Sequence, residues 1–173
     1  MRQDVVISVF GSIDSAEAIQ DLITAAAAEG SIDWEGGMDE SEAFVHLRSC
    51  SDDGKPLTLT RKDTNYLFDE VTSVCKEHGL SYVMNMGDTG CESFSSLQSW
   101  TPGMAADFVS SCDDDEVQVN LSEVKAAAAA GMDAVMEMVS RIERMALSDV
   151  RVRAVSVSEE AVNDFLAREE ARP

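Results

Sequence analysis

The stretch Asp4-Val5-Val6-Ile7-Ser8-Val9-Phe10, stopped by Gly11, decides the fold class of this 173-residue chain. Seven residues dominated by Val and Ile, too short for a helix of ordinary length and closed by a chain-breaking glycine, read as a largely buried strand. The next segment has a different period. Asp14 with Glu17 three residues later makes a capping-box pattern, and Ala16, Ile19, Leu22, Ile23 and Ala26 recur on one helical face until Gly30. A buried strand leading into an amphipathic helix places the chain in the α/β (α+β) class.

Working outward, Ala43 to Arg48 carries Phe and Val and reads as a second strand; Asp53-Gly54 is a turn, and Pro56-Leu57-Thr58-Leu59-Thr60 returns as a third strand in a hairpin. Thr60, with Asp63, is expected to cap a second helix carrying Leu67, Val71, Val74, Cys75 and His78 on one stripe before Gly79. Leu80 to Met86 reads as the fourth strand. The order strand, helix, strand, strand, helix, strand over about residues 4–86 resembles the ferredoxin-like split βαβ arrangement. That resemblance implies a sheet with helices packed on it.

The second half extends this core. Phe94 to Trp100 is expected to add an edge strand before Thr101-Pro102-Gly103, and Val117 to Leu121 another short one. Ser122 caps a long helix to about Ala146, with Val135, Val139, Ile142 and Ala146 inward and Glu137 placed to pair with Arg141; Ala126 to Ala130 before Gly131 favours close packing or a kink. Asp149 to Val157 alternates as a strand, and Ser158 caps a last helix with Ala161, Val162, Phe165 and Leu166 inward. With no long linker or fixed-period repeat, the expectation is one compact domain over 1–173, divisible into a ferredoxin-like core at 1–90 and an αβ extension at 91–173. Its sheet is mixed.

Charge sets the strongest bound on function. Asp and Glu total 33 against 13 Lys and Arg, for a net charge of -20. Such a surface repels nucleic acid and anionic membranes and attracts cations and basic proteins. Surplus acid also maintains solubility, and with only four lysines (Lys55, Lys62, Lys76, Lys125) it matches halophilic composition as well. The N-terminal apolar run is too short for a signal peptide, no stretch approaches a membrane span, and Cys50, Cys75, Cys91 and Cys112 are scattered. A cytoplasmic location with reduced thiols is expected.

The chemical motifs are sparse. Asp88-Thr89-Gly90 resembles the tripeptide that carries the catalytic carboxylate of aspartic proteases, but Gly87 stands where those enzymes have an apolar residue, and the tripeptide reads as a turn. Cys75 and His78 have Cys-x-x-His spacing, with His46, Cys50, Cys91 and Cys112 as the remaining zinc donors, yet no second closely spaced pair exists. Both lie on an apolar helical stripe. The acidic stretch from Ser31 to Glu42 departs from an EF-hand, since Gly37 takes the fifth position and Met38 the turn glycine. Phosphate loop, dinucleotide fingerprint, Gly-x-Ser-x-Gly and His-Glu-x-x-His are all missing. No cofactor is implied.

The distribution of charge is more informative than its sum. Residues 1–60 hold 12 acidic against 3 basic side chains, residues 61–120 hold 11 against 3, and residues 121–173 hold 10 against 7. Two loops concentrate the excess, one with Trp34 inside it and the other near Phe94, Leu97 and Trp100. The expected surface is therefore Asp33, Trp34, Glu35, Asp39, Glu40 and Glu42 together with Asp113, Asp114, Asp115 and Glu116. This pattern points to a non-catalytic binding protein, an inhibitor or nucleic-acid mimic that occupies a basic site on a partner protein, as immunity and anti-CRISPR proteins do. It would bind no nucleic acid or membrane directly, and a homo-oligomer is compatible. A small-molecule or metal-binding regulatory domain is the alternative, and a hydrolase using acidic residues such as Asp88 the second alternative.

Overall fold

A computed structural model describes residues 3–33, 36–64, 67–88, 96–113, 116–145 and 153–171. The first strand, β1 (Gln3–Ile13), pairs antiparallel with β2 (Leu57–Thr64) on one side and β3 (Ser81–Asp88) on the other. The sheet continues through β4 (Ser96–Trp100), β5 (Phe108–Asp113) and β6 (Glu116–Val117), in the order β2-β1-β3-β4-β5-β6. Six antiparallel strands with helices packed on them confirm the α/β class. A seventh, β7 (Val155–Val157), runs parallel to β1 and makes the sheet mixed.

Gly11 explains how β1 takes a third partner. Its φ of +125° is a backbone state that side chains disfavour, and a Cβ there would lie 3.3 Å from Leu80 Cδ2. Before it, Val9 pairs with Leu57 of β2; from it onward, Gly11 to Ile13 pair with Val155 to Val157, and the Val155 N–H donates to the Lys55 carbonyl just ahead of β2. The glycine is where β1 changes neighbours.

Alternation along β1 builds the core. Val5, Ile7 and Val9 point to one face and are fully buried, opposite Met86, Met84 and Tyr82 on β3. Covering that face is α1 (Ala16–Glu29), whose Ile19, Leu22, Ile23 and Ala26 are buried as the 3–4 spacing predicts. Its cap is Ser15 rather than Asp14: the Ala18 N–H donates to Ser15 Oγ at 3.1 Å. Around α1 pack α2 (Glu40–Asp52), α3 (Asp69–Glu77) and α6 (Glu159–Glu170).

The expected strand at Ala43 to Arg48 is instead part of α2, and the reason is local. Asp39 and Glu42 form a reciprocal capping box, Glu42 N–H donating to Asp39 Oδ1 at 2.8 Å and Asp39 N–H to Glu42 Oε2 at 3.0 Å. Ala43, Leu47 and Cys50 then form the buried stripe. The Asp53-Gly54 turn consequently joins a helix to β2, not two strands. The full ferredoxin-like arrangement is not formed, because one of its four strands is a helix. What persists is a split βαβ unit, since β2 and β3 are joined through α3 and have antiparallel β1 between them.

Thr60 lies within β2, where its hydroxyl donates to the Ser31 carbonyl at 3.1 Å, so it does not cap α3. The β4 strand is interior, with β5 outside it, and β6 stops at Val117. The expected long helix is two, α4 (Leu121–Ala130) and α5 (Met132–Met145), separated at Gly131 with φ +115°. Asn120, not Ser122, caps the first. Ser158 caps α6 as expected, and Ala161, Val162 and Phe165 are buried while Leu166 is exposed.

The β4–β5 loop is fastened at both ends. Asp107 accepts hydrogen bonds from Tyr82 Oη at 2.8 Å and Gln98 Nε2 at 2.7 Å, and its carboxylate is 2.8 Å from Lys76 Nζ of α3. Trp100 Nε1 donates to the Met104 carbonyl at 3.1 Å. These bonds hold residues 101–107 over the end of the sheet.

Candidate functional site

The first acidic segment becomes the entrance to α2. Asp39 and Glu42 are committed to the capping box, where negative charge also suits the helix N-terminus. Glu40 reaches back to α1, accepting from Thr24 Oγ1 at 2.7 Å and Gln20 Nε2 at 3.3 Å. All three stay exposed, as does Asp33, so these structural duties leave their charges facing solvent. Trp34 and Glu35 lie outside the described residues. Apolar contact area is instead supplied by Ile32 and Val45, both exposed beside Glu42 and His46 in a shallow depression.

The second acidic segment is elsewhere. Asp113 and Glu116 are paired across β5 and β6, and Asp114 and Asp115 lie outside the described residues. Ser31 bridges to Thr60 on β2, at the opposite sheet edge from β6. Five strand spacings of ~4.8 Å separate those edges by about 24 Å. The described parts of the two segments therefore adjoin different edges of the sheet.

A different set of carboxylates does converge. Where α1 packs on α3, Asp21, Thr24, Ala25, Glu70, Ser73, Val74 and Glu77 line an open groove. Thr24 also bonds Glu40, so the groove and the start of α2 are continuous. Among the described residues, no Lys or Arg lines either this groove or the depression beside Val45. The nearest α3 cation, Lys76, is drawn to Asp107 instead. His78 Nε2 lies 2.9 Å from Asp21 Oδ2 and ties the C-terminal end of α3 to α1. Asp21, Glu70 and Glu77 occupy outward helical positions that carry no motif in the sequence; only the pairing of α1 with α3 unites them.

The thiol and metal candidates disperse. Cys75 is fully buried among apolar side chains, and desolvation pushes its thiol up to about 12. His78 faces Asp21, so the Cys-x-x-His pair makes no joint site. Cys50 Sγ lies 3.8–3.9 Å from the His46 ring nitrogens, but His46 Nε2 is 3.0 Å from the Thr58 carbonyl, and burial raises the Cys50 thiol above its ordinary value. A raised thiol is a poor nucleophile at neutral pH. Among the described residues no group of three His, Cys, Asp or Glu is arranged to hold a metal ion. Asp88 ends β3 opposite Gln3; Thr89, Gly90 and Cys91 lie outside the described residues. No described helix is long and apolar enough to cross a membrane.

Compared with protein families, with curated proteins and with solved structures, the chain matches none.

Proposed function

We propose that this protein is a non-catalytic acidic binding protein that acts in the cytoplasm, its α1–α2–α3 face occupying a basic, nucleic-acid-binding site on a partner protein. It would work as an inhibitor or nucleic-acid mimic of the immunity or anti-defence (anti-CRISPR) type. The observation that carries this reading is the groove of Asp21, Glu70 and Glu77, continuous with Glu40 and Asp39 and, among the described residues, lined by no Lys or Arg. Carboxylates held on packed helices present negative charge at fixed spacing, as phosphates do, without paying to order a flexible loop on binding. Ile32 and Val45, exposed in a separate depression beside Glu42, add apolar contact area, and the surrounding charge steers approach.

The test is a pull-down from the native host washed at rising salt, followed by competition with duplex DNA. Capture that falls steeply with salt, is displaced by DNA, and weakens about tenfold or more in Asp21→Asn/Glu40→Gln/Glu70→Gln/Glu77→Gln is expected. A complex indifferent to salt, or formed equally well with nucleic acid bound to the partner, overturns the reading.

A further inference from the structure

On the sheet face opposite α1, a cavity of about 500 Å³ lies between the strands, the 101–106 loop and α5. Its volume falls within the range of small-molecule sites, about 300–1,000 Å³. Phe10, Val83 and Met104 supply apolar walls, while Ser99, Glu137 and Arg141 supply polar ones. The loop wall is held by the hydrogen bonds of Asp107 and Trp100. This is a formed site rather than a fold in a mobile surface.

Its polar groups are not satisfied by the protein. Ser99 is 2% exposed, and its Oγ has no hydrogen-bond partner among the described residues; one strand over on the same face, Asn85 is 6% exposed with Oδ1 likewise unpartnered. Arg141 Nε is buried without a partner as well. Such atoms are costly to leave unpaired, and two of the three residues, Ser99 and Arg141, line the cavity. Arg141 lays its guanidinium over the Phe108 ring, 4.7 Å from its centroid, which occupies the planar face and leaves the N–H edge for an in-plane acceptor. In a chain with 33 acidic residues, no described carboxylate forms a salt bridge with it. Even Glu137, one turn earlier and expected to pair with it, lines the cavity separately.

We propose that this cavity binds a small zwitterion with an apolar body, of the apolar α-amino acid class. Its carboxylate lies along the Arg141 edge and accepts from Ser99 Oγ, its ammonium meets Glu137, and its side chain packs on Phe10, Val83 and Met104. Net charge selects this class over phosphates and simple acids, because a molecule of charge -20 repels anions but not a neutral zwitterion. The site is independent of the acidic helical face.

The experiment is calorimetric titration of the full chain with L-phenylalanine, L-methionine, phenethylamine, 3-phenylpropanoate and inorganic phosphate. Saturable binding of at least one of the two amino acids is expected, with phenethylamine and 3-phenylpropanoate about tenfold weaker or worse and phosphate silent. Arg141→Met, which keeps a chain over Phe108, should abolish binding. Glu137→Gln, at an exposed position that tolerates change, should narrow the gap between L-phenylalanine and 3-phenylpropanoate, a shift that a purely structural role would not produce. The proposal is overturned if neither amino acid binds more tightly than about 10 mM, if 3-phenylpropanoate or phosphate binds as well as the amino acids, or if Glu137→Gln leaves that ratio unchanged.

Discussion

Tyr82→Phe removes one oxygen from the network that fastens the β4–β5 loop, and its cost can be worked from the geometry. Asp107 takes a bond from Tyr82 Oη at 2.8 Å and one from Gln98 at 2.7 Å, with Lys76 Nζ also 2.8 Å away. Lys76 is 41% exposed, so its share is that of a surface ion pair, about 0–1 kcal/mol. The tyrosine hydroxyl donates to an ionised acceptor from a buried ring, an interaction of about 1.5–3 kcal/mol. Phenylalanine keeps the ring packing, so the substitution should destabilise by ~2 kcal/mol and lower Tm by about 4–8 °C for a domain of this size.

The pH dependence of that loss is equally specific. Burial acts to raise the Asp107 carboxyl, but bonds from Lys76, Tyr82 and Gln98 together outweigh it and hold it below its ordinary value. Stability from a depressed carboxyl is fully present above its unfolded pKa, about 3.9, and is lost as pH falls through the lower folded value. Burial, then Asp107, pushes the Tyr82 phenol well above its ordinary range. A raised phenol stabilises the fold below its unfolded pKa, about 10, and that contribution fades as pH rises beyond it. The gap between wild type and Tyr82→Phe, measured by urea unfolding, should therefore be flat from about pH 5 to 9 and narrow on both sides. A cycle with Asp107→Asn should give a coupling of ~1–2 kcal/mol. Equal gaps at pH 3 and pH 7, or a variant as stable as wild type, would refute the reasoning.

Two further predictions concern α2 and the buried thiol. Asp39→Ala should cost about 1 kcal/mol and some 2–4 °C in Tm, whereas Asp39→Asn, which still caps, should cost far less; thermal unfolding of the pair distinguishes capping from bulk charge. Cys75 should resist a thiol-labelling reagent at pH 8 in the folded protein and become labelled only in denaturant, as read by mass spectrometry of its peptide, because its pKa stands at about 12.

Those parts of the fold set by local periodicity are legible in sequence. Val5, Ile7 and Val9 alternate because one face of β1 is buried, and Ile19, Leu22, Ile23 and Ala26 repeat at helical spacing because α1 lies on it. The α2 segment reads as a strand because of Phe44 and Val45, while the deciding feature, the Asp39 and Glu42 box, sits just before it. Phe108 to Asp113 gives no strand signal because only every second residue of β5 needs to be apolar, and Ser110 and Ser111 interrupt the pattern. The candidate face is less legible still. Asp21 and Glu77 are 56 positions apart and share a groove only because α1 packs on α3, whereas the acidic loops that stand out in the sequence end at opposite sheet edges. Acidic composition is readable; its arrangement requires the tertiary pairing of helices.

The handover at Gly11 bears on how the chain assembles. The tail of the first strand and the flank of α1 are covered by β7 and α6, elements more than 140 positions later, as the Ser12 and Ser156 hydroxyls, 144 positions apart, record. Closing so long a loop carries an entropic cost that only the finished core repays, and such non-local topology slows folding. A nascent chain can zip β2 and β3 onto β1 soon after they are made, but the edge beyond Gly11 stays open until residues 155–170 arrive. Sealing of the first strand therefore waits on a segment more than 140 positions further along the chain.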